Sequence, residues 1–214
     1  MSIEIKGFTK KYGDKVVFEN FYLTLREGEI TVVLGDSGVG KTTLLNALAG
    51  LDEEKITMAP CSYIFQEPRL LKGVTVKKNV FLACHDDTAT EKALADVELT
   101  DSKDSYPDEL SGGMAQRVSM ARAFVARRDL ILMDEPFSSL DIRLKYRLYD
   151  IFRKLWQENK PAVVLVTHDL DEALELADRI IVLKGNPAAI ALDESVKTAN
   201  KDDLRNKIRD TIIK

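Results

Sequence analysis

A glycine-rich loop near the N-terminus carries the clearest chemical pattern in the sequence. It matches G-x-x-x-x-G-K-[ST] in full and consists of Gly35, Asp36, Ser37, Gly38, Val39, Gly40, Lys41 and Thr42. Glycines let successive backbone N–H groups point inward and form a nest for an anion. An apolar run precedes the loop and a helical pattern follows it, which is the context that this motif requires. The pattern predicts a binding site for a nucleoside triphosphate.

Residues at the end of the loop have separate tasks in such a site. We expect Lys41 to reach the β- and γ-phosphates of ATP and the Thr42 hydroxyl to bind Mg²⁺. Thr43 follows in the first helical turn, whose partial positive charge favours phosphate, and we include it among the nucleotide-binding residues. Kinases, GTPases, helicases and transport ATPases share this loop. It therefore predicts the ligand but not the enzyme class.

Two acidic residues, Asp134 and Glu135, directly follow the apolar run Leu130–Met133. Residues at the C-terminal end of a parallel strand lie in the crevice where α/β proteins bind ligands. Asp134, the first acid, is the expected partner of Mg²⁺. Glu135 is the expected general base that polarises a water for attack on the γ-phosphate. Alone, the pair could be two carboxylates facing solvent at a strand end, but together with the phosphate loop it favours hydrolysis.

Short apolar runs alternate with longer amphipathic segments and predict the elements that hold these residues. The runs that suit strands buried on both faces are Ile30–Leu34, Leu130–Met133, Ala162–Val166 and Ile180–Leu183. Near the N-terminus, apolar and polar residues alternate as in half-buried strands. The main helical patterns cover Thr42–Ala49, Met114–Val125 and about residues 141–158. We expect an α/β fold of the P-loop NTPase type, with a mostly parallel sheet flanked by helices and a small N-terminal antiparallel β portion.

The stretch from about residue 68 to residue 111 interrupts this alternation. It is rich in helical patterns and contains no convincing buried strand. We interpret it as an inserted helical subdomain that ends near a second glycine motif. The chain is then a single domain of residues 1–214, with a core formed by about residues 1–67 and 112–214.

Further helices are expected within this insertion and in the C-terminal tail. The insertion carries helical patterns at Val76–Cys84 and Thr90–Val97, and Asp87 or Thr88 is the expected N-cap of the second. In the tail, apolar residues recur every four positions as far as Ile212. That spacing indicates a surface helix that packs one stripe on the body of the domain.

Bulk composition limits the roles that the chain can have. Of its 214 residues, 45% are hydrophobic and 31% are charged, which is typical of a globular protein. The formal net charge is −4, and the sequence has no long basic run, so we expect no nucleic-acid partner. The apolar runs fall far short of the about 18 residues of a membrane span. We therefore expect the chain to act at a membrane only by holding another protein.

A second helix start indicates the class of protein. The segment Leu110–Arg117 contains Ser111, Gly112, Gly113 and Gln116 and opens a helix. A hydroxyl and free N–H groups at a positive helix end can bind phosphate. This segment resembles the signature motif of the ABC ATPases, and the supporting motifs follow in family order along nearly the whole chain.

The resemblance implies roles for further residues. Tyr12 matches the aromatic residue that stacks on adenine, and Gln66 matches the glutamine that touches Mg²⁺ or the attacking water. Asp141 lies in a segment similar to the D-loop, and His168 matches the switch histidine that contacts the γ-phosphate. In the family, the signature of one copy caps the ATP of another, which implies a head-to-tail dimer for Ser111 and its neighbours. The expected catalytic residues are Glu135, His168, Gln66 and Lys41.

The resemblance also implies partners and a location. ABC ATPases of this kind drive transport through separate integral membrane permease subunits, and importers add a solute-binding protein. The segments around Gln66 and His168 look most like importer subunits for nitrate, sulfonates or taurine. We therefore expect an ATPase that pairs with a second copy or a homologous subunit. Its expected location is cytoplasmic, peripheral on the inner face of the cell membrane through the permease.

Three other functions stay open from the sequence. ABC ATPases that act on DNA or the ribosome usually carry a long coiled coil or tandem copies, and neither is present in the 214 residues. Control of a cell-envelope process through a membrane partner is poorly separated from transport. A nucleotide-binding regulator without turnover is disfavoured by Glu135. Taken alone, Tyr12 and His168 would be ordinary surface residues.

Overall fold

The computed structural model describes residues 2–52, 56, 59–138, 140–197 and 199–213. The strands are β1 (Ser2–Tyr12), β2 (Lys15–Arg26), β3 (Ile30–Gly35), β4 (Cys61–Ile64), β5 (Leu130–Asp134), β6 (Ala162–Val166), β7 (Arg179–Lys184) and β8 (Ala189–Ser195). The α-helices are α1 (Lys41–Ala49), α2 (Val76–Cys84), α3 (Asp87–Asp96), α4 (Gly112–Val125), α5 (Ile142–Asn159), α6 (Leu170–Leu176) and α7 (Lys201–Ile213). Short 3₁₀ turns lie at Thr100–Ser102 and Pro107–Glu109.

Six strands form the central sheet in the order β4-β5-β6-β3-β7-β8. Neighbouring strands from β4 to β7 are parallel, whereas β8 pairs antiparallel with β7 at the edge. β1 and β2 form a separate antiparallel two-stranded sheet. The predicted α/β fold, with a mostly parallel sheet and a small N-terminal antiparallel portion, is confirmed.

Alternate residues of the central strands enter two different cores. Ile131 and Met133 of β5 pack with residues of α2 to α7 on one face of the sheet. Leu130 and Leu132 pack on the other face with β1, β2 and α1. Side chains of a strand point alternately to its two faces. A strand that is covered on both faces must therefore be apolar throughout, as the sequence runs indicated.

The helical stretch contains α2 and α3, and its described residues form no strand. The N-cap of α3 is Asp86, whose side chain accepts a hydrogen bond of 3.0 Å from the Ala89 N–H. The predicted caps, Asp87 and Thr88, are wrong because α3 begins at Asp87. The apolar pattern marks only the buried face of the helix, which starts at Thr90.

Helix α4 connects the helical stretch to the sheet. It packs against α2 and α3 on one side and against β4 and α5 on the other. The helix begins at Gly112, two residues before the predicted start, because the Ser111 side chain caps it by accepting a hydrogen bond from the Met114 N–H. Packing contacts therefore cross residue 111, the expected boundary between the helical subdomain and the core.

Three short elements were not predicted, namely β4, α6 and β8. β4 has only one fully buried residue, and β8 lies at the sheet edge with every second residue exposed, so neither is buried on both faces. The predicted C-terminal helix is present as α7 and buries Leu204 and Ile208. Of the helices in the described part of the chain, none is long and apolar enough to cross a membrane.

Candidate nucleotide-binding and catalytic site

The C-terminal ends of three adjacent strands bring the sequence motifs together. In the order β5-β6-β3, β3 leads into the phosphate loop, β5 ends at Asp134 and β6 is followed closely by His168. Because the three strands are parallel, these ends meet at one edge of the sheet. The Glu135 N–H donates a 2.9 Å hydrogen bond to the Val166 carbonyl, which joins the loops after β5 and β6.

A cleft of about 500 Å³ opens at this edge. The predicted site residues that line it are Tyr12, Ser37, Gly38, Gly40, Lys41, Thr42, Thr43, Glu135 and His168. Gly35, Asp36 and Val39 belong to the loop but are not among the lining residues. One space thus joins an aromatic side chain, an anion nest and two candidate catalytic groups, which is the arrangement that a nucleoside triphosphate requires.

The phosphate loop delivers a free helix N-terminus to the cleft. Gly40 is the N-cap of α1, with φ of 119°, and no side chain of the described residues caps the helix. A Cβ atom on Gly40 would lie 2.8 Å from Cγ1 of Val17, so both the backbone conformation and the packing require glycine. The uncapped N–H groups of the first turn are available to an anion.

Lys41 is held inside the curve of the loop. Its Nζ donates hydrogen bonds to the carbonyl oxygens of Gly35 at 2.7 Å and Asp36 at 3.0 Å. The side chain is buried, and burial lowers the pKa of Lys41, although the charges of Glu135 and Asp134 oppose this. The Lys41 ammonium group therefore has few contacts with water, and a bound phosphate could contact it instead.

Both oxygens of the Asp134 carboxylate have a hydroxyl neighbour. The Thr42 hydroxyl donates to Oδ1 at 3.4 Å, and the Tyr63 hydroxyl donates to Oδ2 at 3.4 Å. Burial raises the pKa of Asp134, and the hydrogen bond from Thr42 opposes the shift. Thr42 and Asp134 offer oxygen ligands side by side, the donor type that Mg²⁺ prefers.

Glu135 and His168 form a contact within the cleft. The Nδ1 atom of His168 lies 3.1 Å from Oε2 of Glu135. Glu135 has φ of 44°, in the left-handed region that residues other than glycine rarely adopt. Such backbone strain is common where a fold fixes a functional side chain.

Gln66 lies beside the cleft and reaches Glu135 indirectly. Its Nε2 donates a 3.1 Å hydrogen bond to the Ser138 hydroxyl, which in turn donates to the Glu135 carbonyl at 3.0 Å. Gln66 is exposed and is not among the residues that line the cleft. The structure thus links Gln66 to the backbone of the candidate base.

The signature residues lie at the start of α4, and none of them lines the cleft of its own chain. Ser111 and Gly112 are exposed, whereas Gly113 and Gln116 are buried. The Gln116 Nε2 has no hydrogen-bond partner among the described residues. Only the first half of the signature is therefore presented on the surface.

The start of α5 packs closely on this segment. Asp141 caps α5, and its Oδ1 accepts hydrogen bonds of 3.1 Å from the N–H groups of Arg143 and Leu144. A Cβ atom on Gly113 would lie only 2.4 Å from Cδ2 of Leu144. A side chain at residue 113 would therefore require Leu144 to move.

Three residues near the site were missed from the sequence. Lys15 and Val17 line the cleft, and Tyr63 contacts Asp134. Lys15 pairs with Tyr12 across a tight two-residue turn, and the Gly-Asp dipeptide between them could have indicated this hairpin. Tyr63 lies on β4, and its position became clear only from the strand order.

Comparisons with known proteins show the family to which this chain is related. The sequence model of the family described as ABC transporter matches residues 18–138. The chain is 44% identical to the aliphatic sulfonates import ATP-binding protein SsuB 2 of Frankia alni, over 97% of this chain and 86% of that protein. It is 43% identical to SsuB 1 of Nocardia farcinica, over 96% of this chain and 89% of that protein.

A solved structure extends the similarity to three dimensions. It is the dimeric ATP-binding cassette MJ0796 in a post-hydrolysis state bound to ADP and Pi. The two chains are 28% identical, with a TM-score of 0.77 over 92% of this chain and 99% of that chain. The chain belongs to the ABC transporter family, of which it is an ATP-binding subunit.

Proposed function

We propose that the cleft at the sheet edge is the place where this ATPase hydrolyses ATP. The observation that carries the proposal is the joint lining of one cleft by Tyr12, the phosphate loop, Glu135 and His168. In this arrangement Tyr12 stacks on adenine, as an exposed aromatic face at one end of a cleft can. The loop N–H groups and Lys41 bind the phosphates.

Glu135 acts as the general base. Its carboxylate lies in the cleft, where it can accept the proton of a water that attacks the γ-phosphate. His168, 3.1 Å away, orients the carboxylate and contacts the γ-phosphate. Gln66 acts through its hydrogen bond to Ser138, which fixes the backbone of Glu135.

Thr42 and Asp134 would hold Mg²⁺, with Gln66 as a further oxygen ligand. The hydroxyl and the carboxylate lie 3.4 Å apart and offer only oxygen, which fits this cation. When bound, Mg²⁺ neutralises charge on the phosphate oxygens. The protein orients the two oxygen ligands, namely the Thr42 hydroxyl and the Asp134 carboxylate.

Ser111 and Gly112 bind the ATP of a second copy. Their exposure and their position outside the cleft of their own chain support contact with a nucleotide held by another chain. Gly113 and Gln116 support this segment from inside the domain. Asp141 fixes the start of α5 beside it. The dimeric state of MJ0796 supports such a head-to-tail pair.

The cargo that fits the comparisons is an aliphatic sulfonate. The relatives named above are sulfonate import proteins and align with nearly all of this chain. The chain would then bind permease subunits at the cytoplasmic membrane face and work with a solute-binding protein. Within it, we propose an ATPase core of about residues 1–67 and 112–214 and a helical subdomain of about residues 68–111.

Uptake of a sulfonate by cells tests this function. Cells that lack the chain should lose most uptake of labelled ethanesulfonate, and the wild-type gene should restore it. A gene that encodes the Glu135→Gln change should not restore uptake. Sulfate uptake is the control and should be equal in all strains. Unchanged ethanesulfonate uptake in the deletion strain would contradict the cargo, whereas an active Glu135→Gln protein would contradict the assigned base.

A further inference from the structure

We propose that Tyr63 is a positioning residue for Asp134, and that Phe65 and Arg69 hold Tyr63 in place. The Tyr63 hydroxyl lies 3.4 Å from Oδ2 of Asp134 and 3.4 Å from Oδ1 of Asn46. The inference rests on the proposed cation site at Thr42 and Asp134. It assigns that site a supporting residue from a neighbouring strand.

The two hydroxyl groups hold the carboxylate at both of its oxygens. Thr42 contacts Oδ1 and Tyr63 contacts Oδ2, so together they oppose rotation of the carboxylate plane. Thr42 lines the cleft, whereas Tyr63 is not among its lining residues. Asp134 is likewise not among the lining residues, and Tyr63 can hold it while Thr42 engages a ligand.

The position of Tyr63 follows from the sheet. β4 pairs parallel with β5, and Tyr63 lies opposite Leu132 in the register, two residues before Asp134. A tyrosine side chain is long enough to cover that offset along the neighbouring strand. Oδ1 of Asn46 in α1 lies at the same distance from the hydroxyl, whose single proton is therefore shared between acceptors on α1 and at the end of β5.

An aromatic stack fixes the ring of Tyr63. Its centroid lies 4.0 Å from that of Phe65, with an angle of 13° between the rings. The Arg69 guanidinium covers the Phe65 ring at 3.8 Å. Arg122 of α4 donates to the carbonyl oxygens of Pro68 and Arg69 at 3.1 Å each. The stack therefore connects the Asp134 carboxylate to the segment after Gln66 and, through that segment, to α4.

The Tyr63→Phe change removes only the hydroxyl and keeps the stack. We expect the Mg²⁺ concentration for half-maximal ATP hydrolysis to rise about threefold to tenfold, because the change removes one hydrogen bond to the carboxylate. Calorimetric binding of a non-hydrolysable ATP analogue is the second readout. The affinity of Tyr63→Phe for this analogue should fall by a similar factor in Mg²⁺ and stay within about twofold of the wild-type affinity in EDTA.

Two further variants separate positioning from folding. Tyr22→Phe removes a hydroxyl from an exposed tyrosine on β2 and should behave as wild type. Phe65→Leu keeps the Tyr63 hydroxyl but removes the stack, and should shift the Mg²⁺ response in the same direction as Tyr63→Phe. Thermal unfolding of each variant shows whether its fold is retained.

Two results would overturn the role of Tyr63. One is a Mg²⁺ response of Tyr63→Phe equal to that of Tyr22→Phe. The other is an equal loss of affinity in Mg²⁺ and in EDTA, which would place the effect on the nucleotide or the fold. If the wild-type protein itself bound the analogue no better with Mg²⁺ than with EDTA, the proposed cation site would be contradicted. The role of Tyr63, which rests on that site, would then be contradicted too.

Discussion

The Nδ1 atom of His168 lies 3.1 Å from Oε2 of Glu135, although the two residues belong to loops that follow different strands. The His168 side chain is 66% exposed and that of Glu135 only 24%. The histidine is therefore the more solvent-exposed member of the pair. A ligand that enters the cleft meets both side chains together.

Replacing Glu135 by glutamine tests its role as the base. We expect the rate of phosphate release to fall at least about 100-fold, because the amide cannot accept the proton of the attacking water. ATP affinity should change little, since the loop and Lys41 remain. Glu19→Gln, on the exposed side of β2, is the matched control and should keep the wild-type rate. A Glu135→Gln protein with the wild-type rate would contradict this role.

The same variant should reveal the dimer. With hydrolysis blocked, bound ATP should hold two copies together, so light scattering with size exclusion should give twice the mass of the chain. ADP should leave the protein monomeric, because the γ-phosphate is missing. A monomer at high protein concentration with saturating ATP would argue against a shared site.

Lys41 should dominate nucleotide affinity. Replacement by methionine removes its charge, and we expect ATP to bind at least about tenfold more weakly, as for loss of a charge-assisted hydrogen bond. Lys11→Met removes an equal charge from an exposed position on β1 and should bind as wild type. Titration calorimetry measures both. Equal affinity of the two variants would contradict a direct contact between Lys41 and phosphate.

Glu172 should make stability depend on pH. Its side chain is 2% exposed, and burial raises the pKa of Glu172 from 4.5 to about 7, although the Lys145 ammonium 3.4 Å away opposes the shift. The folded state then binds the proton more tightly than the unfolded chain. This contribution is complete below about pH 4.5 and is lost as pH rises through about 7.

Glu172→Gln cannot ionise and should remove this dependence. Relative to wild type, its free energy of unfolding should rise between pH 5 and pH 8 by up to about 3 kcal/mol, since each pKa unit corresponds to about 1.4 kcal/mol. Urea unfolding at several pH values measures the difference. Glu175→Gln, which changes an exposed carboxylate on the same helix, is the matched control. A constant difference for Glu172→Gln would contradict the raised pKa.

Neighbouring glycines of the signature should respond differently to alanine. Gly113→Ala places Cβ 2.4 Å from Leu144, and overpacking of this kind costs about 1–3 kcal/mol of stability. A Cβ atom in Gly112→Ala meets no atom of the described residues within 4 Å, so its stability should stay within about 0.5 kcal/mol of wild type. In the double variant Gly113→Ala/Leu144→Ala, the smaller side chain at residue 144 should leave room for the new Cβ atom. Part of the stability that Gly113→Ala loses should then be recovered. Chemical denaturation measures the stability of these variants. A Gly113→Ala protein as stable as Gly112→Ala would refute the close packing of residue 113 on Leu144.

The sequence predicted the parts of the fold that are buried on both faces. The run Leu130–Met133 needed apolar residues throughout, so its pattern was visible. β4 and β8 were missed because edge strands bury less. The Arg179–Asp193 ion pair that joins β8 to β7 depends on strand pairing and cannot be read from composition.

Within the site, local motifs were visible and contacts between strands were not. The phosphate loop and Glu135 could be found because each lies directly after a strand. Tyr63 could not, because its contact with Asp134 joins residues 71 positions apart in the chain. Gln116 could not be placed inside the domain from spacing alone, since a three-residue step from Gly113 fits a buried helix face as well as an exposed one.

If Ser111 binds the nucleotide of a second copy, as proposed, its position outside the cleft of its own chain should allow two defective proteins to complement each other. A Lys41→Met copy keeps a sound signature, and a copy with a damaged Ser111 keeps a sound phosphate loop. When the two pair, one nucleotide position inherits both defects and the other inherits neither. A mixture of two inactive preparations should therefore regain activity that each lacks alone, with mixed pairs making up half of all dimers if the copies associate at random in equal amounts.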